Sequence, residues 1–164
     1  MQAAPSGSGQ DRLAPVRRGW RPRLAYARDE GAGSQRAASR ARRILIVEDD
    51  FLVATQMETA LRDGGFESAG IAATAEEALA LAGAQRPALC IMDIRLAGRS
   101  SGIDTAIELF RSYGVRCIFA TAHFDLEARR RAAPAAPLGW LQKPYSMTSL
   151  VAMVRQALDE LRGR

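Results

Sequence analysis

Four apolar runs in this chain each end on residues that can carry charge or share a proton. Arg43-Ile44-Leu45-Ile46-Val47 delivers Glu48, Asp49 and Asp50. Ala88-Leu89-Cys90-Ile91-Met92 ends on Asp93, and Cys117-Ile118-Phe119-Ala120 ends on Thr121 and Ala122. A last run passes through Trp140 and Leu141 to Lys143-Pro144. Lys143 is the sole lysine of a chain whose other 22 basic residues are arginine. Gathered in one pocket, Glu48, Asp49 and Asp93 would repel one another unless a cation relieved them. Mg²⁺ suits such a set, since it takes oxygen ligands and keeps waters beside one or two carboxylates. A carboxylate held against Mg²⁺ and an ammonium can attack phosphorus to give an acyl phosphate. Thr121 could donate its hydroxyl to a phosphoryl oxygen, and Ala122 is small enough to let that group approach. Lys143 supplies a compact, mobile positive charge.

Strands must bring these residues together. Apolar runs that release their charge at the carboxyl end read as buried strands of a parallel sheet, where ligands bind outside the strand ends. Between them, Val53, Met57, Ala60 and Leu61 stand at helical spacing before Gly64-Gly65. Phe66 to Ala72 reads as a short strand. Thr74 and Glu77 form a capping box ahead of a stripe of Ala75, Ala78, Leu79 and Ala82. Ile103, Ala106, Ile107 and Phe110 mark another helix, closed by Tyr113-Gly114. Leu126 to Ala133 predicts a short helix before Pro134, and Pro137 opens the last strand. A terminal helix begins at Ser146 with Leu150, Val154, Ala157, Leu158 and Leu161 on one face. Five strands alternating with five helices predict an α/β fold with a doubly wound parallel sheet.

Composition divides the chain of 164 residues in two. Residues 1–43 carry ten arginines against Asp11, Asp29 and Glu30, whereas residues 44–164 hold thirteen basic and fifteen acidic residues. Residues 1–42 lack apolar periodicity and are expected to be a disordered, Arg-rich tail; residues 43–164 are expected to be one domain. Cys90 and Cys117 lie in apolar runs and read as small buried side chains of a reducing compartment, not as a disulfide. No stretch approaches the ~20 apolar residues of a membrane span. A cytoplasmic protein without membrane contact is expected.

In Ile46-Val47-Glu48-Asp49, Asp93 after a hydrophobic strand, Thr121-Ala122 and Lys143-Pro144, the chain resembles the response-regulator receiver domains of two-component signalling, over roughly residues 42–162. Each element is weak alone; four in order on successive strand ends are specific. The resemblance implies a flavodoxin-like receiver fold, a sheet of five parallel strands with five helices. It implies phosphorylation on Asp93 by a histidine kinase or phosphotransfer protein, with Mg²⁺ held by Glu48, Asp49, Asp93 and the backbone carbonyl of Arg95. Thr121, Ala122 and Lys143 would bind the phosphoryl group, the Lys143-Pro144 bond would be cis, and Trp140 would act as the switch aromatic. Phe119-Ala120-Thr121, Arg95-Leu96 and Ser101-Gly102-Ile103-Asp104 are similar to the stand-alone receivers of alphaproteobacteria. That subgroup usually continues Gly-Tyr after the threonine, where Ala122-His123 stands here. The stretch bearing Pro134 and Pro137, and a Trp in place of the usual Tyr or Phe, depart from the wider family and bear on the switch surface.

Other readings compete at several positions. Asp93 would also serve as a helix N-cap, although that leaves the other strand ends unexplained. Asp50 reads as the cap of the first helix. His123 is a solvated loop residue or, two positions after the threonine, a modulator of hydrolysis. Trp140 is a switch or simple packing. Arg129-Arg130-Arg131 is a solvated helix face or a dock for an acidic kinase surface. For the whole chain, the leading expectation is a phosphoacceptor without output domain, acting through protein partners or as a phosphate sink or relay. It would not be an enzyme beyond slow self-catalysed phosphorylation and dephosphorylation. One alternative is an Asp-nucleophile phosphohydrolase of the haloacid-dehalogenase type, against which Arg95 stands where a second acid is needed. The other is nucleic-acid binding through the basic tail, which has only Trp20 and Tyr26 as aromatics.

Overall fold

In a computed structural model, residues 43–96, 101–122 and 125–163 are described. The expected tail (1–42) and His123 lie outside them. Five strands, β1 (Arg43–Val47), β2 (Glu67–Ala72), β3 (Leu89–Asp93), β4 (Arg116–Thr121) and β5 (Gly139–Gln142), form one parallel sheet in the order β2-β1-β3-β4-β5. The helices between and after them are α1 (Phe51–Asp63), α2 (Ala75–Gln85), α3 (Gly102–Tyr113), α4 (Leu126–Ala132) and α5 (Met147–Arg162).

Strand alternation explains why the runs are apolar throughout. Leu45, Val47, Cys90, Met92, Cys117 and Phe119 turn to one face, where Ala78 and Ala82 of α2 and Ile103, Ala106 and Leu109 of α3 cover them. Ile44, Ile46, Leu89, Ile91, Ile118 and Leu141 turn to the other, against Ala54, Met57 and Leu61 of α1 and Leu150, Val154, Ala157 and Leu158 of α5. A sheet buried on both faces has no polar side to show in its strands. Cys90 and Cys117 are register partners on the first face, both buried with free thiols. Burial, and then its neighbour Cys117, pushes the Cys90 thiol well above its ordinary pKa.

The element boundaries shift slightly from expectation. Phe66 precedes β2 and packs against the α1/α5 core, so its hydrophobicity serves a loop. The buried line of α1 centres on Ala54, with Val53 and Ala60 at its margin, and Leu109 outranks Phe110 in α3. After α4 the chain tightens to a 3₁₀ turn over Ala133–Ala135 that contains Pro134. The last strand begins at Gly139, two residues after Pro137. The capping box forms with one change: Glu77 N–H donates to Thr74 Oγ1 at 3.3 Å, while the Glu77 carboxylate accepts from Ala73 N at 2.8 Å instead of from the cap residue. Among the described residues no helix is long and apolar enough to cross a membrane.

Candidate functional site

β1 and β3 are neighbours, with Val47 opposite Met92. The next residue on each strand is Glu48 and Asp93, so the two carboxylates meet at one end of the sheet. Glu48 N–H donates to Ala72 O at 3.0 Å, which carries strand geometry one residue past β1. Carboxylate oxygens of Glu48, Asp49 and Asp93 all lie within 4.8 Å of one another. Glu48 and Asp93 are buried, and Asp49 is exposed.

Lys143 reaches this cluster from the far end of β5. Its Nζ donates to Asp93 Oδ2 at 2.7 Å and to Glu48 Oε2 at 2.8 Å. Its backbone is held by Lys143 N–H to Thr121 O at 2.7 Å, and the Lys143-Pro144 bond is cis. The second oxygen of each acid meets a backbone amide: Asp93 Oδ1 accepts from Arg95 N at 3.1 Å, and Glu48 Oε1 from Asp50 N at 3.5 Å. Burial raises the Glu48 pKa above its ordinary value, only partly offset by the hydrogen bond from Lys143. Burial alone would lower Lys143, but its bonds to Asp93 and Glu48 outweigh that and hold it firmly charged.

One ammonium among three carboxylates leaves an excess of about two negative charges when all are ionised, beside an exposed Asp49. That donor set of hard oxygens fits a divalent cation of the Mg²⁺ type.

The remaining candidates take separate places. Thr121 closes β4 and is buried, while the Ala122 after it is exposed. Asp50 is the N-cap of α1, accepting from Leu52 N at 2.9 Å and Val53 N at 3.1 Å. Asp93 caps no helix, because α3 is capped by Ser101. Trp140 stands apart from the acids. It is the β5 register partner of Phe119, and the two rings stack with centroids 4.8 Å apart and planes 27° from parallel.

Three features escaped the sequence reading. Gly102 opens α3 directly behind the acid; a Cβ there would overlap the Asp93 carbonyl oxygen. Its neighbour Ser101, a cap followed by glycine, was the available signal. Tyr145, two residues past Lys143, buries a hydroxyl that has no hydrogen-bond partner among the described residues, and burial pushes its pKa up to about 12. Phe51 and Leu52, straight after the acids, are 73% and 71% exposed. No local pattern distinguishes an exposed Phe from the buried kind.

A sheet of this order with acids and a lysine at its strand ends defines a receiver, and the comparisons agree. The family model of the response regulator receiver domain matches residues 44–155, and the chain belongs to that family. It is similar to the transcriptional regulatory protein PdtaR of Mycobacterium tuberculosis, at 33% identity over 74% of this chain and 58% of that protein. It is 35% identical to the phyllosphere-induced regulator PhyR of Methylorubrum extorquens, over 77% of this chain and 47% of that one. The chain thus spans about half the length of these relatives. Among solved structures, a CheY-like receiver domain protein from Methanospirillum hungatei superposes with a TM-score of 0.69 at 28% identity, covering 74% of this chain and 97% of that one. PhyR from Brucella abortus gives 0.62 at 30% identity, covering 79% and 54%. The haloacid-dehalogenase alternative finds no support in these matches.

Proposed function

We propose that Asp93 accepts a phosphoryl group from the phosphohistidine of a sensor kinase or phosphotransfer protein. The observation that carries this reading is Lys143 Nζ lying within hydrogen-bond distance of both Asp93 and Glu48. In the transfer, an Asp93 carboxylate oxygen forms a bond to phosphorus while the P–N bond breaks. The electron pair of that bond goes to the imidazole nitrogen, which takes up a proton, and Asp93 becomes an acyl phosphate. The bonded Asp93 oxygen loses its negative charge, and the charge that now faces Lys143 is the one the phosphoryl oxygens bring with them. Thr121 Oγ1 donates to one of these oxygens, and Ala122 leaves room for the group. Glu48, Asp49, Asp93 and the Arg95 carbonyl would hold Mg²⁺, which when bound neutralises charge on the transferring phosphoryl group.

A donor surface adjoins the site. Exposed Phe51 and Leu52 stand at the start of α1, and a shallow cleft of about 320 Å³ is lined by Thr55, Gln56, Thr59, Ala60 and Asp63 of α1 with Met147 at the start of α5. A helix of the phosphodonor would dock against this surface. Modification then shifts an equilibrium at the face bearing Trp140, through which a protein partner reads the state.

Incubation with acetyl phosphate and Mg²⁺, followed by peptide mapping, should place the label on Asp93. Beryllofluoride should bind in its stead. An Asp93→Asn variant that took up label at the wild-type rate would overturn the proposal.

A further inference from the structure

We infer that Arg129 is a positioning residue for Trp140, clamping the ring onto Phe119 and tying α4 to β5. The inference rests on the reading of Trp140 as the residue that reports phosphorylation. α4 has seven residues, far below the length at which an isolated helix holds itself together. Its anchors are therefore tertiary. Ala132 is buried in the α2/α3 core and Ala128 packs against it, while Asp125 adds a local cap by accepting from Ala128 N. Leu126, the one large apolar residue in its first turn, is 65% exposed and anchors little.

All three consecutive arginines of α4 are exposed, and they differ in what they face. Arg131 approaches Asp104 of α3 at 3.9 Å, with both side chains largely exposed, so that pair contributes little. Arg130 is exposed. Arg129 sets its guanidinium 5.4 Å from the centroid of the Trp140 ring. Phe119 lies 4.8 Å from that ring, so guanidinium, indole and phenyl form one contact chain linking α4, β5 and β4. Phe119 and Thr121, two apart on β4, turn to the same side of the sheet. Thr121 and the stacked rings therefore share one side of the sheet, and the outer ring meets α4 through Arg129. A planar cation suits that contact better than an ammonium, because a guanidinium can stack on an indole as well as carry charge.

The test uses the full chain with Trp20→Phe, so that Trp140 is the sole indole. In the unliganded protein, a double-mutant cycle between Arg129→Gln and Trp140→Leu, repeated with Trp140→Phe, should show coupling of about two- to fivefold in the unfolding constant. Arg129→Gln should also raise acrylamide quenching of Trp140, Arg129→Lys should restore part of the protection, and Arg130→Gln should change nothing. Beryllofluoride titration in Mg²⁺ should then show the midpoint of the Trp140 emission change displaced by the same factor in Arg129→Gln. A cycle with no coupling, or quenching equal in Arg129→Gln and Arg130→Gln, overturns the inference. Should fluorine NMR detect bound beryllofluoride while wild-type Trp140 emission stays constant, the switch reading fails instead, and the unliganded cycle still decides the clamp.

Discussion

Lys143 pairs with two buried carboxylates at once, so its loss should be felt by the fold before any phosphoryl group arrives. Lys143→Met removes charge-assisted bonds worth about 1.5–3 kcal/mol and leaves Glu48 and Asp93 facing each other. Its melting temperature should fall, and added Mg²⁺ should recover more stability in the variant than in the wild type, because the ion takes over the missing neutralisation. Equal Mg²⁺ gains in both would show that Lys143 does not balance the acids. Tyr145 behaves in the opposite manner. Its hydroxyl is buried without a partner among the described residues, so Tyr145→Phe should be neutral or stabilising by up to about 1 kcal/mol at pH 7. The phenol titrates at 10.0 unperturbed and at about 12 in the fold. Between those values the unfolded chain loses its proton first, so the contribution present below pH 10 is lost as pH climbs through 12. Denaturant titrations of wild type and Tyr145→Phe across that window should diverge in this sense; parallel curves would refute it. Of this site, the acids and the lysine were legible because charge at the end of an apolar run has few structural uses. Tyr145 was not, since tyrosine beside proline looks the same whether its hydroxyl meets water or nothing.

Adjacent acids can serve different elements, and Asp49 and Asp50 are a clear case. Asp50 accepts two amide bonds at the start of α1, whereas Asp49 belongs to the carboxylate cluster. Asp50→Ala should cost about 1 kcal/mol of stability and leave Mg²⁺ affinity near wild type. Asp49→Ala should weaken Mg²⁺ binding with little loss of stability. Calorimetric titration with Mg²⁺ and urea denaturation check the pair, and interchange of the two outcomes would reverse the assignment. At the other end of the site, α3 starts so close to Asp93 that Gly102→Ala must push backbone aside, at about 1–3 kcal/mol in urea unfolding. Element type and order were readable from period and caps. The boundaries at Phe66 and Pro137 were not, because an apolar residue just outside a strand packs on the core as well as one inside it.

Across the whole molecule, both faces of the sheet find cover within residues 43–163. Removal of residues 1–42 should therefore leave the unfolding midpoint and the rate of Asp93 labelling nearly unchanged; loss of cooperative unfolding on truncation would contradict this. The fold class was legible because a doubly covered parallel sheet leaves uninterrupted apolar strands. The Arg129–Trp140–Phe119 stack was hidden because it joins three elements whose order in space only the folded sheet sets. The same sheet holds a built-in clock. Cys90 and Cys117 face each other on its central strands with 0% exposure, so a thiol reagent can reach them only when α2 and α3 lift from that face or the strands part. Their labelling rate under native conditions measures how often this core breathes open, and a ligand drawing β1 and β3 together at Glu48 and Asp93 would slow it in proportion to occupancy.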